Sequence, residues 1–224
     1  MLESRSVAKA TVSLVSLALV EELNHRVVNE YAEAISSLSL AASSTGDPIA
    51  KAAIDRAASR LRDHAAAHRT LMPPAVPDDA DLGAHVSRIC EAFTRATLAQ
   101  RRVRLVLTTA EVRLPADQCW RIGLILVELI RNAARHGLGG SEGQISVSIE
   151  ERIGILVCEV RDNGRPSVRT VPGRGQGLIR GLVNELGGRV DWSFTVEGAV
   201  ATMRIPVEAP TMLGDFSAKW SEVA

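Results

Sequence analysis

Three polar side chains recur at intervals of four in an otherwise apolar stretch: Glu128, Asn132 and His136, within Cys-Trp-Arg-Ile-Gly-Leu-Ile-Leu-Val-Glu-Leu-Ile-Arg-Asn-Ala-Ala-Arg-His-Gly at residues 119–137. On a helix that interval places them in one row on one face. A carboxylate, an amide and an imidazole in a row offer hard oxygens for a metal ion and donors for phosphates, which suits a magnesium triphosphate. An amphipathic helix with nothing more than a polar edge would show the same row. Pro115 and Asp117 mark a helix start and Gly137 a helix end, so the spacing predicts one helix over residues 116–136.

Two glycine-bearing stretches follow. Residues 157–160 form an apolar run that ends in Arg161-Asp162-Asn163-Gly164, the pattern of a buried strand leaving a sheet through a turn. Gly173-Arg174-Gly175-Gln176-Gly177-Leu178 alternates glycines just before a helix expected over residues 178–186. Glycine there lets backbone amides approach an anion, and the helix N-terminus adds partial positive charge. In this order and spacing, Glu-x-x-x-Asn, Asp-x-Gly and Gly-x-Gly-x-Gly-Leu resemble the N-box and two glycine boxes of the ATPase fold shared by histidine kinases, Hsp90, gyrase and MutL. The resemblance covers residues 81–206.

The elements upstream have to carry whatever accepts the phosphate. Residues 7–44 contain no proline or glycine, and Val20, Leu23, Val27, Tyr31, Ala34 and Leu38 recur at helical spacing, which predicts one long amphipathic helix. Asp47 is placed as an N-cap and Pro48 as the first residue of a second helix reaching about residue 71. Two helices joined by so short a turn make an antiparallel hairpin, whose apolar stripe needs a second hairpin to cover it. Met72-Pro73-Pro74-Ala75-Val76-Pro77-Asp78-Asp79 reads as a stiff linker.

His25 points almost opposite Leu23 and Val27, alongside Ala18, Glu21, Glu22, Asn29 and Ala32, and is therefore expected on the solvent face. An ordinary exposed histidine would look the same. His64, His68 and His85 read as plain surface or packing residues. The segment Leu23-Asn24-His25-Arg26-Val27-Val28-Asn29, however, is similar to the H-box of histidine kinases of the H-R-x-x-N type. Residues 12–206 as a whole thus resemble the dimerisation and phosphotransfer hairpin plus the catalytic domain of a sensor histidine kinase.

That resemblance implies an α+β chain: a helical hairpin forming a dimeric four-helix bundle, followed by an α/β sandwich of the Bergerat, Hsp90-like ATPase fold. The expected division is residues 7–72 for the hairpin, 73–79 for the linker, 80–208 for the ATP-binding domain and 209–224 for a tail. It also implies roles. His25 would attack the γ-phosphate of ATP, with Glu21 or Glu22 steering its proton and Asn29 serving regulator dephosphorylation. Glu128 would position a magnesium water and Asn132 would bind magnesium. Arg135 and His136 would touch the phosphates. Asp162 would read the adenine amino group, Gly164 would open space for the ring, and Gly173, Gly175 and Gly177, followed by Leu178, would hinge a lid. The implied partners are a second copy of the chain, a response-regulator receiver domain and a separate sensor protein.

Three positions depart from the family pattern. Pro166 replaces the second glycine of the Asp-x-Gly-x-Gly box, the lid at residues 165–174 is short, and Ala199 stands where a hydroxyl usually supports the adenine aspartate. Arg165, Arg169 and Arg174 could offer charge to the phosphates instead. Two readings therefore stand: a kinase that phosphorylates His25 from ATP, or a kinase-derived phosphotransferase that relays phosphate through His25 without ATP. An anti-sigma serine kinase would share the ATPase fold but not the hairpin and H-box.

Composition narrows the rest. The formal net charge is zero with no basic block, which argues against nucleic acid as a partner. Cys90, Cys119 and Cys158 all fall in apolar patterns and are expected as buried reduced thiols, as in a cytoplasmic protein. Residues 10–20 are too short and too serine-rich for a spanning helix or signal peptide, so no membrane anchor is expected.

Overall fold

The structure is a computed structural model that describes residues 2–74, 78–164 and 174–207, with side chains from residue 22 onward apart from Arg174. It opens with two long helices, α1 (Leu2–Ser44) and α2 (Pro48–Arg69), folded into an antiparallel hairpin. The turn works as its residues require: Asp47 Oδ1 accepts the Ile49 N–H at 2.8 Å, and Pro48, lacking an N–H, takes the first helical position. Ala42, Ala58 and Ala65 are buried in the hairpin, while Leu23, Leu40 and Ile49 remain 52, 72 and 80% exposed. Small residues let α1 and α2 approach closely, and the larger apolar side chains are left without cover.

The second half is built on a five-stranded sheet with helices on one side. Strands β2 (Val103–Thr109), β4 (Gly143–Arg152), β5 (Ile155–Asp162), β6 (Arg189–Thr195) and β7 (Gly198–Pro206) lie in the order β2-β4-β5-β7-β6. Only β2 and β4 are parallel; the other neighbours run antiparallel. Alternation sets the buried face, with Ile145, Val147 and Ile149 on β4, Leu156, Cys158 and Val160 on β5, and Ala201, Met203 and Ile205 on β7. Three helices supply the other layer: α3 (Leu82–Phe93), α4 (Ala116–Asn132) and α5 (Arg174–Glu185). Ile122, Leu126 and Ile130 of α4 and Ile179 and Val183 of α5 join the strand residues in one continuous core. Truncating one of them, such as Leu126→Ala, removes about 2–5 kcal/mol.

Helix α3 ends at Phe93 and the chain continues as a π turn (Thr94–Leu98) and a 3-10 turn (Ala99–Arg101), closed by Arg102 in the left-handed region at φ 55°. Three expectations about elements need correction. The helix expected over residues 116–136 ends at Asn132, and Ala133–Gly137 is a π turn in which the Leu138 N–H donates to the Ala133 carbonyl at 2.9 Å. The helix expected from residue 178 starts at Arg174, so Gly175 and Gly177 lie inside its first turn. Asp79, assigned to the linker, belongs to a short strand β1 (Asp79–Asp81) paired antiparallel with β3 (Arg113–Pro115). Three-residue strands carry no readable periodicity. Residues 75–77, the lid residues 165–173 and the tail at 209–224 lie outside the described residues.

Candidate functional site

Helix α4 is the axis of the site. Its buried stripe faces the sheet, which turns Glu128 and Asn132 away from the core, both half-buried. Glu128 Oε1 accepts from Arg131 Nη1 at 3.1 Å. A side-chain carbon at Gly175 would stand 3.9 Å from both Asn132 Oδ1 and Nδ2, so the first turn of α5 lies directly against that amide. First-turn N–H groups have no partner within their own helix, and they stand here beside a residue with hard oxygen and amide donors. Residues 43 positions apart in sequence thereby form one polar corner.

The π turn changes the row anticipated from helical spacing. A π turn holds more residues per turn than an α-helix, so His136 no longer stacks over Asn132. Glu128, Asn132 and Arg135 line a common cavity of about 640 Å3, and His136 does not. Both Arg135 and His136 are exposed.

The turn also delivers Gly137 to Asp162. A side chain at Gly137 would run into the Asp162 carboxylate, one at Gly164 into the Gly137 carbonyl, and one at Gly198 into the Asp162 carbonyl. Gly198 has φ +136°, where other residues are strained. Three glycines from three elements therefore pack around one carboxylate, which is 3% exposed. Its Oδ1 accepts from the Gly164 N–H at 3.0 Å and the Ala199 N–H at 3.4 Å. Burial pushes the Asp162 pKa up, and the two backbone donors partly oppose that rise. Two expectations change here. The room beside Gly164 is occupied by the backbone of Gly137, and the support missing at Ala199 comes from its backbone N–H in place of a hydroxyl.

On the hairpin, His25 and Asn29 are exposed, as their place opposite the apolar stripe requires, and neither lines the cavity. Glu22 Oε1 accepts from Arg26 Nε at 2.7 Å. Among the described residues it makes no hydrogen bond to His25. Leu178 is 55% exposed at the start of α5, and Gly173 lies outside the described residues. Where hairpin and ATPase half meet, the Leu71 carbonyl accepts from Trp120 Nε1 of α4 at 2.8 Å and Asn24 Nδ2 of α1 at 3.4 Å. The residue beside His25 and the first turn of α4 thus share one acceptor.

Among the described residues no group of three or more His, Cys, Asp or Glu side chains could hold an ion. Glu128 and Asn132 fit magnesium arriving with phosphates, since that ion takes few protein ligands and completes its shell with substrate oxygens and water. Cys90, Cys119 and Cys158 are buried, and burial pushes their thiols up to about 11, 11 and 12, so none is a nucleophile at neutral pH.

Comparison with known proteins agrees with this arrangement. The family described as "Histidine kinase-like ATPase domain" matches residues 93–205, half the chain, and that described as "Histidine kinase" matches residues 22–97, which include His25. The chain belongs to the sensor histidine kinases of the H-R-x-x-N type. Among solved structures, the histidine kinase domain of the blue-light activated kinase EL346 from Erythrobacter litoralis is similar at TM-score 0.55 and 20% identity, over 80% of this chain and 94% of that one. The histidine kinase AdeS of Acinetobacter baumannii gives TM-score 0.51 and 19% identity, over 84% and 98%. A bacterial phosphotransferase gives TM-score 0.61 and 13% identity, over 84% and 96%. At these identities the likeness shows the fold. No curated protein matches.

For this histidine kinase, the hairpin and the helix-backed sheet agree with the fold expected from sequence, and its second half is an ATP-binding domain by family. Sequence reasoning did not reach Gly137 and Gly198 around Asp162, nor Tyr31, His64, His68 and Arg131 on the cavity wall. The glycines carried a signal in their type alone. The wall residues carried none, because they come from separate helices. Among the described residues no helix is long and apolar enough to cross a membrane.

Proposed function

We propose that this histidine kinase phosphorylates His25 from ATP with magnesium and then passes the phosphoryl group to an aspartate on a response regulator. The observation that carries the reading is the corner formed by Asn132 and the first turn of α5, with Glu128 and Arg135 on the same cavity. Phosphoryl transfer needs positioning and charge neutralisation more than covalent chemistry, and this corner offers both. Magnesium would neutralise phosphate oxygens when bound, held by Asn132 and, through water, by Glu128. Arg135 and His136 would meet the phosphates. Asp162 would accept from the adenine amino group, next to Gly164. Gly173, Gly175, Gly177 and Leu178 would shape the lid over the phosphates.

On the acceptor side the exposed His25 imidazole would serve as the nucleophile. Glu22 would take its proton after leaving Arg26, and Asn29, one turn on, would orient water for regulator dephosphorylation. Residues 7–72 would act as the phosphotransfer hairpin, 73–79 as linker, 80–208 as the ATP-binding domain and 209–224 as a tail. The exposed Leu23, Leu40 and Ile49 support a homodimer that covers them. Buried reduced thiols suit a cytoplasmic enzyme, with its input coming from a separate sensor protein.

One observation favours a second reading. Asp162 is 3% exposed and Gly137 fills the space beside Gly164, so an adenine ring has to displace the end of the π turn to reach the carboxylate. A phosphotransferase that relays phosphate through His25 would need no such movement. Titration calorimetry with ATP and magnesium separates the two. Binding in the micromolar range supports the kinase, and no heat up to millimolar ATP supports the phosphotransferase.

A further inference from the structure

The 640 Å3 cavity beside α4 is only partly explained by nucleotide chemistry. Its far wall belongs to the hairpin, through Tyr31, His64 and His68, and its floor to the end of α3 and the turns after it, through Ile89, Phe93 and Arg101. The volume falls within the range of small-molecule sites. Of its charged side chains, Arg101, Arg131 and Arg135 outnumber Glu128, and the Glu128 carboxylate is already paired with Arg131. Arg101 and Arg135 make no ion pair among the described residues. His68 Nδ1 is buried without a hydrogen-bond partner. The Tyr31 ring stacks on His64 at 6.3 Å with 14° between planes, and it sits 5.5 Å from the His68 ring. Burial first, then Arg131 and His64, hold the His68 pKa down.

We propose that this cavity binds a small aromatic dianion, its charge taken by Arg101 and Arg135 and its ring seated against Phe93 and the Tyr31–His64 stack. Planar guanidinium groups pair with phosphate or carboxylate through two parallel hydrogen bonds, and aromatic walls favour a flat ligand body. Because the walls come from both halves of the chain, occupancy ties the hairpin to the ATPase half. Such a ligand would therefore act on the approach of the two halves without reading adenine.

Calorimetry on the full chain with phenyl phosphate, mostly a dianion at pH 7.5, tests this. Inorganic phosphate and benzoate serve as the ring-free and singly charged arms. The expected result is millimolar or tighter binding of phenyl phosphate and weaker binding of both controls. Arg101→Ala and His64→Leu, which leave the nucleotide residues intact, should each weaken phenyl phosphate about tenfold and leave ATP binding unchanged. Asp162→Ala should leave phenyl phosphate binding intact. Circular dichroism on each variant confirms that it is folded. No binding of phenyl phosphate, equal binding of inorganic phosphate, or full binding by folded Arg101→Ala would overturn the proposal. If wild type binds phenyl phosphate but not ATP, the cavity stands and the kinase reading falls.

Discussion

Asp162 concentrates the physical tension of the site in one side chain. Its raised pKa means that the folded chain takes up this proton more readily than the unfolded chain does, whose ordinary value is 3.8. Stability is therefore reduced as pH rises from 3.8 through the raised folded value. Asp162→Asn should then melt higher than wild type at pH 7, with the gap closing below pH 3.8 in thermal unfolding followed by circular dichroism. Asp162→Ala should lose about tenfold to a hundredfold in ATP affinity by calorimetry, because a donor of the base is left unpaired. Gly137→Ala drives a methyl group into the carboxylate. It should cost about 1–3 kcal/mol in denaturant unfolding and lower the ATP affinity in parallel. Asp162 and Gly164 were legible from an apolar run ending in a turn. Gly137 was legible only as a helix stop, since its role depends on a strand 25 positions later.

At the level of elements, the sequence pattern located the two hairpin helices, α4, α5 and the strand that ends at Asp162, because an apolar stripe or run marks each. It misplaced the helix ends. The start of α5 was hidden because Gly175 and Gly177 disfavour a helix by about 1 kcal/mol each, and the packing of that turn on Asn132 overrides them. The π turn after Asn132 has no signature in residue type, and it brings Gly137 against Asp162. His68, read from sequence as a plain residue, proves to line the cavity together with Arg131 of α4. Burial first, then Arg131 and His64, hold its pKa below the ordinary 6.5, and the Tyr31 ring packs on it as well. As pH falls through 6.5 the unfolded chain takes the proton first, so stability is lost toward the lowered folded value. His68→Gln should flatten the fall in melting temperature between pH 6.5 and pH 5; an unchanged slope would remove His68 from that response.

For the whole molecule, the hairpin is the part left incomplete by a single chain. Leu23, Leu40 and Ile49 expose large apolar surface that a second hairpin would cover. Light scattering at micromolar concentration should give twice the chain mass, and a monomer would contradict the bundle. The two-part organisation was legible because the hairpin turn and the proline-rich linker are punctuated in sequence. The packing of the halves was not, because it depends on Trp120 and Asn24 meeting at the Leu71 carbonyl. His25 and the Asn132 corner must nevertheless cooperate if the kinase reading is right. Incubation with γ-labelled ATP and magnesium measures that cooperation directly. The wild-type chain should gain acid-labile label, whereas His25→Ala should gain none while still binding ATP, and Asn132→Ala should gain none because magnesium phosphate is no longer held. Acid-labile label on His25→Ala, or none on the wild-type chain, would contradict it.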